Sequence, residues 1–112
     1  WPEAFDLPNS GAYWIGPQAD RRDLDLRALD LTGAALNGAD LTGANLQGAI
    51  LRGAKLNDAV LVAVDLREAD LSDANLAGTD LDQGRLNGAI YTANTIWPDG
   101  FDPQATGALF IE

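Results

Sequence analysis

Leucine occupies positions 26, 31, 36, 41, 46, 51, 56, 61, 66, 71, 76, 81 and 86 without a miss, and Tyr91 and Ile96 continue the series. No other feature constrains the fold as strongly. In a helix, five residues rotate by about 500°, so successive leucines diverge by roughly 140° and form no single stripe. In a flat strand, an odd step sends alternate leucines to opposite faces. The series can share one interior only if the chain turns a corner in every unit. That describes a coil wound around a leucine core.

The remaining slots agree with this reading. Two residues before the central leucine stands a small residue: Ala34, Ala39, Ala44, Ala49, Ala54, Ala59, Ala69, Ala74 and Ala89. An inward corner beside a row of leucines has room for little else. Two residues after it comes Gly at 33, 38, 43, 48, 53, 78 and 88, which places seven of the twelve glycines in one slot. A turn position with positive φ accounts for that bias. The residue before the leucine is often Asp or Asn, and the one after it mostly Thr, Arg, Asn or Gln, so both read as outward, solvated positions. Val64, Thr79 and Gly84 replace Ala, and Lys55 and Arg85 replace Asp or Asn; these are expected to tilt single corners without breaking the coil. Arg21 falls where a first central leucine would stand.

The stretches ALNGADLTGANLQGAILRGAKL (35–56) and ADLSDANLAGTDL (69–81) resemble the pentapeptide-repeat family, whose unit is A-(D/N)-L-x-x, over roughly Ala19 to Pro103. The resemblance implies an all-β fold: a right-handed quadrilateral β-helix with four units, or twenty residues, per coil and the central and small residues pointing inward. YWIGPQAD (13–20) is similar to the start of such arrays and IYTANTIWPDGFDP (90–103) to their end. The expected organisation is a lead-in and cap over 1–18, the array over 19–96, and a cap and tail over 97–112. The phrases WPEAFD (1–6) and WPDGFD (97–102) nearly repeat each other and are read as aromatic and proline caps at the two ends. Trp97 and Phe101 would lie over the last leucines, and Pro98 and Pro103 offer no N–H to a further coil. Trp1, Phe5 and Trp14 would serve the other end.

If twenty residues make a coil, positions twenty apart stack at about 4.8 Å, and Leu24 to Ile96 spans nearly four coils and about 18 Å. The positions before each leucine then form columns: Asp25, Asn45, Asp65, Arg85; Asp30, Ile50, Asp70, Ile90; and Asp40, Val60, Asp80. In each column acids alternate with non-acids, leaving carboxylates about 10 Å apart, near the Debye length, which limits like-charge repulsion. The segment AVLVAV (59–64) sets Val60 and Val62 at outward positions, with Ile50 and Ile90 doing likewise on the neighbouring wall. Scattered surface aliphatics are ordinary, yet these four are the chain's best candidates for a partner patch.

Chemistry is nearly absent. The chain has no Cys, His or Met, and its only serines are Ser10 and Ser72, so no familiar catalytic triad can assemble. The segment Asp80-Leu-Asp82-Gln-Gly84 carries two acids of a calcium loop but lacks the third acid and the later glycine and glutamate. No enzyme activity, catalytic residue, cofactor or specific metal is expected. Aromatics supply only 7% of the residues, so Leu and Ala must build the core. The net charge of −10 argues against direct nucleic-acid binding, and no apolar run is long enough for membrane insertion.

Two functional expectations follow. The first is a structural or protein-interaction module with a rigid acidic surface, an unidentified protein partner, and a monomeric state. The alternative is a DNA mimic acting on DNA gyrase or another DNA-binding protein, as the resemblance allows, through the acidic walls of Asp25, Asp65, Asp30, Asp70, Asp40 and Asp80. Against it, an array of about 18 Å falls short of one turn of B-DNA, about 34 Å. Residues 24–96 hold ten acids and five bases, so half of the net charge lies in the flanks. A third expectation is a module of a longer protein. The resemblance points to bacterial and especially cyanobacterial cytoplasm, or to a thylakoid lumen or periplasm if a signal peptide has been removed.

Overall fold

The computed structural model describes residues 24–111, preceded by the backbone of two short strands, β1 (Asp6–Leu7) and β2 (Gly11–Ala12). These pair antiparallel, with Asp6 opposite Ala12 and Leu7 opposite Gly11. Trp1, Phe5 and Trp14, expected as cap residues, and Arg21 lie outside the described residues.

From Leu24 onward the chain is a β-helix built of five-residue units. Parallel bridges join Asp25 to Asn45, Asp30 to Ile50, Ala35 to Lys55 and Asp40 to Val60, and each next set continues twenty residues later. Four units therefore separate one bridged residue from the residue stacked on it. The stacked positions form four columns, and each column marks a wall. Within a unit the corner is a β-turn. Ala34 N–H donates to Leu31 C=O (3.0 Å) across Thr32 and Gly33, and Gly33 has φ 70°. Positive φ at the third turn residue is the signature of a type II turn. Between coils, Leu31 N–H donates to Ile50 C=O (2.7 Å), Gly33 N–H to Arg52 C=O (2.8 Å), and Ile50 N–H to Leu29 C=O (2.9 Å). A corner every five residues leaves only one ladder residue per wall. The walls are therefore rows of single bridges instead of long strands.

The leucines fill the interior. Leu26 through Leu76 are eleven fully buried leucines at five-residue spacing, and Ala39, Ala44, Ala49, Ala54, Ala69 and Ala74 are sealed beside them. Each buried leucine contributes about 1.5–3 kcal/mol of apolar burial. Burial thus explains the leucine series, and restricted room explains the alanines.

The corner slot is broader than its glycines suggest. Ala28, Asp58, Ala63, Glu68, Asp73 and Gln83 all occupy it with φ between 57° and 64°. An L-residue there costs about 1–2 kcal/mol, so the coil, and not glycine alone, imposes the conformation. At Gly88 space is also tight, because a Cβ there would meet Glu68 Cγ, one coil below, at 3.3 Å and require that side chain to shift.

The expected register breaks near the end. Asn75 bridges to Ile96, twenty-one residues on instead of twenty. Tyr91 is inward and buried as expected, but Ile96 points outward and is 50% exposed. Trp97 takes the inward position instead and packs on the core. The extra residue lies in Thr92 to Asn94 and is held by a threonine pair. Thr95 Oγ1 donates to Leu71 C=O (2.9 Å) and accepts Thr92 N–H (3.0 Å). Thr92 Oγ1 donates to Asp73 Oδ1 (2.7 Å) and accepts Asp73 N–H (3.1 Å). Five-residue periodicity alone cannot reveal an insertion that polar side chains absorb.

Beyond Trp97 the chain turns at Pro98 to Phe101 and enters a 3₁₀ turn, η1 (Gln104–Thr106), which ends at Gly107 with φ 88°. It then returns to the coil. Strand β3 (Ile90–Tyr91) pairs in parallel with β4 (Leu109–Phe110), Ile90 opposite Leu109.

Candidate interaction surface

The residue before each leucine sets the chemistry of the outside. Its carboxylate or amide oxygen accepts the backbone N–H two residues later: Asp30 from Thr32 (3.1 Å), Asp40 from Thr42 (3.1 Å), Asn45 from Gln47 (3.1 Å), Asp70 from Ser72 (3.0 Å), Asn75 from Ala77 (3.0 Å) and Asp80 from Asp82 (3.1 Å). Asp25 and Asp65 do the same for Arg27 and Arg67. This is an Asx-turn at the corner. These positions face outward as expected, and the structure adds a reason for their identity: Asp and Asn recur there because they bind the turn. Where Ile50 or Val60 stands, that side-chain bond is absent, since an aliphatic residue has no acceptor.

The columns stack as the twenty-residue period requires. The first wall carries Asp25, Asn45, Asp65 and Arg85; the second Asp30, Ile50, Asp70 and Ile90; the third Ala35, Lys55, Asn75 and Ile96; the fourth Asp40, Val60 and Asp80. Ile50 and Val60 are ten residues apart, half of a coil. Their walls are opposite, not neighbouring, and the expected four-residue patch divides in two. Ile50 and Ile90 stand on the second wall with Asp70 between them. Val60 and Val62 flank Leu61 on the fourth, where Val60 is 36% exposed and Val62 is partly buried.

Charge is unevenly distributed over these walls. The described bases stand on three of them: Arg27, Arg67 and Arg85 on the first, Arg52 on the second and Lys55 on the third. On the first wall Arg67 grips Asp65 through Nε (2.9 Å) and Nη2 (2.7 Å), and Arg27 grips Asp25 in the same way at 2.9 Å for both bonds. The hydrogen-bonding guanidinium holds each carboxyl below its ordinary value, and the carboxylate in turn raises the pKa of its arginine. On the second wall Arg52 Nε approaches Asp70 Oδ2 at 3.7 Å. Among the described residues the fourth wall has Asp40, Asp80 and Asp82 and no base.

Above that wall the turn at Pro98 to Phe101 leaves an open cleft of about 590 Å³. Asp80, Asp82, Asp99 and Phe101 are among its lining residues. Among the described residues no group of three or more acids is arranged to hold a metal ion, and no helix is long and apolar enough to cross a membrane.

Sequence reasoning missed the apolar end of the molecule. Leu109 (55%), Phe110 (49%), Ile111 and Ile96 are exposed, and β4 pairs on one side only. The run Leu109-Phe110-Ile111 was the available signal, but it lies outside the five-residue register. Beneath it Tyr91 meets Trp97 edge-on at 5.4 Å and Phe110 at 5.5 Å, while Trp97 stacks on Phe101 at 5.2 Å. Trp97 Nε1 is buried there without a hydrogen-bond partner.

Comparison with known proteins agrees with the unit and its period. The family model for pentapeptide repeats matches residues 22–58 and 54–90, with eight copies. The crystal structure of a pentapeptide repeat protein from Nostoc PCC 7120 is 36% identical over 81% of this chain and 85% of that one, with a TM-score of 0.48. One from the Arabidopsis thaliana thylakoid lumen is 29% identical over 80% of this chain and 61% of that one, with a TM-score of 0.53. Another, from the cyanobacterium Cyanothece 51142, is 26% identical over 83% of this chain and 77% of that one, with a TM-score of 0.45. No curated protein sequence matches closely enough to count as a relative. Leucine register, corner turns and family match coincide over the same residues, and the chain belongs to the pentapeptide repeat family.

Proposed function

We propose that this chain is a non-enzymatic module that binds another protein on a rigid, acidic β-helical surface. One observation carries the reading. At Val60 and Ile50 the chain places an exposed aliphatic side chain in the slot where their stacked neighbours Asp40, Asp80, Asp30 and Asp70 supply an Asx acceptor to the corner. The missing turn hydrogen bond, about 0.5–1.5 kcal/mol, is offset by the buried part of each side chain, so the coil accounts for everything except the aliphatic surface left exposed. That surface serves contact with something else.

Finer features of the architecture belong to the same proposal. The coil is right-handed and quadrilateral with about four turns, and the segment from Trp97 closes its end. Trp97 and Phe101 pack against the core, and Pro98 and Pro103 supply no N–H for a further coil. This cover shields the core at that end, where β4 keeps one unpaired edge, and the walls are the surface proposed for partners.

DNA mimicry is less well supported. Three of the six candidate carboxylates, Asp25, Asp65 and Asp70, face Arg27, Arg67 and Arg52, so half of the proposed phosphate analogues sit beside a positive charge. The test uses Val60→Asp with Val62→Asp in a pull-down from cell extract, with circular dichroism confirming that the coil persists. Loss of the captured protein is expected. Unchanged capture would remove these valines from the interface. A gyrase supercoiling assay runs in parallel, and inhibition at micromolar protein would establish mimicry in its place.

A further inference from the structure

The fourth wall shows what kind of partner such a module accepts. Val60 and Val62 lie in the middle of it, with Asp40 one coil below and Asp80 and Asp82 one coil above. The wall's three carboxylates have no basic neighbour on that wall among the described residues, unlike those of the first wall, which Arg27 and Arg67 neutralise. At its upper end lies the open cleft, whose lining includes Phe101 together with Asp80, Asp82 and Asp99. Carboxylates beside an aromatic face suit a long cationic side chain, which gains from both.

We propose that the fourth wall and this cleft form a docking surface for an extended segment of a partner protein in which basic and aliphatic residues alternate. The aliphatic residues seat on Val60 and Val62, and a lysine or arginine enters the cleft against Phe101. An extended segment running alongside the coil matches the surface because its same-face side chains, about 7 Å apart, have the same spacing as Val60 and Val62, which stand two residues apart. Charge complementarity selects the occupant. A second copy brings a net charge of −10 and is repelled, as are nucleic acid and anionic lipid. The proposal rests on the interaction-module reading and narrows it to one wall and one class of segment.

The test titrates the isotope-labelled protein with a synthetic peptide alternating lysine and valine, followed by amide chemical shifts and by anisotropy. Control peptides alternate glutamate with valine and lysine with glutamine. Shifts are expected at residues 40–42, 60–62, 80–82 and 99–101, with weaker binding of both controls. Asp80→Asn with Asp82→Asn keeps an Asx acceptor at 80, so the corner survives; it is expected to weaken the lysine–valine peptide about tenfold, as loss of two exposed charge pairs implies. Shifts confined to Ile96, Leu109 and Phe110, equal binding of lysine–glutamine, or no binding would overturn the proposal. A natural partner still captured by the Asp80→Asn, Asp82→Asn variant would leave the interaction module standing while removing this wall from it.

Discussion

Replacing Val60 separates the two roles assigned to the position before each leucine: turn acceptor and charge spacer. Val60→Asn supplies the missing acceptor for the Val62 N–H, about 1 kcal/mol. It also gives up the buried part of a side chain that is 36% exposed, again about 1 kcal/mol. The two changes offset, so Val60→Asn is expected to match the parent within about 1 kcal/mol, while Val60→Ala, with neither benefit, falls below both. Val60→Asp makes the same turn bond but places a third carboxylate between Asp40 and Asp80. At about 5 Å in water each neighbour costs about 0.8 kcal/mol, so Val60→Asp should lie about 1.5 kcal/mol below Val60→Asn at low salt. Urea unfolding followed by circular dichroism, at low salt and at molar salt, reads all four proteins. The gap between Asn and Asp should close as salt rises. Equal stabilities for Asn and Asp at low salt, or a gap that salt leaves unchanged, would refute the reasoning about alternating columns.

Other perturbations have equally definite outcomes. Leu56→Ala, at a fully buried position, should cost about 2–5 kcal/mol by urea unfolding. Gly53→Ala meets no atom but must adopt φ 65°, so calorimetry should show a loss of about 1–2 kcal/mol, and Ala63→Gly a gain of up to about 1 kcal/mol. Thr95→Val removes the bonds to Leu71 C=O and from Thr92 N–H and should destabilise by about 1–3 kcal/mol, an effect that Val64→Thr, in the same slot of a regular unit, would not reverse. The lowered pKa of Asp65 arises chiefly from its hydrogen bond to Arg67. Its contribution to stability is present above the unfolded carboxylate value, about 3.9, and is lost as pH falls through the folded value. Arg67→Gln should remove that contribution and flatten the fall of stability on the acid side of the unfolded carboxylate value, measured by urea unfolding along a pH series.

The coil was legible because one residue type repeats without interruption: the leucines must share an interior, and only a corner every five residues allows it. The columns followed by arithmetic from the twenty-residue period. The insertion between Tyr91 and Ile96 was not legible, because Thr92 and Thr95 repair it with side-chain hydrogen bonds that no periodicity marks. The placement of Ile50 opposite Val60 is contained in their ten-residue separation, half of the twenty-residue coil. The Asx acceptors explain why Asp and Asn recur, and that role emerges only when the distance from Asp40 to the Thr42 N–H is known. The return of Leu109 and Phe110 to Ile90 and Tyr91 depends on the turns between them, where the five-residue register no longer speaks.

A cysteine pair scan offers the most direct check on the stacked coil and its separate walls, since the chain contains no cysteine of its own. Val60→Cys with Asp80→Cys joins stacked neighbours on one wall, within the Cα separation of about 4.4–6.8 Å that a disulfide accepts. Val60→Cys with Ile50→Cys places the thiols on opposite walls. Under mild oxidation at low protein concentration, the first pair should close into an intramolecular disulfide and the second should remain as free thiols. Closure between positions 50 and 60, with none between 60 and 80, would contradict the twenty-residue coil.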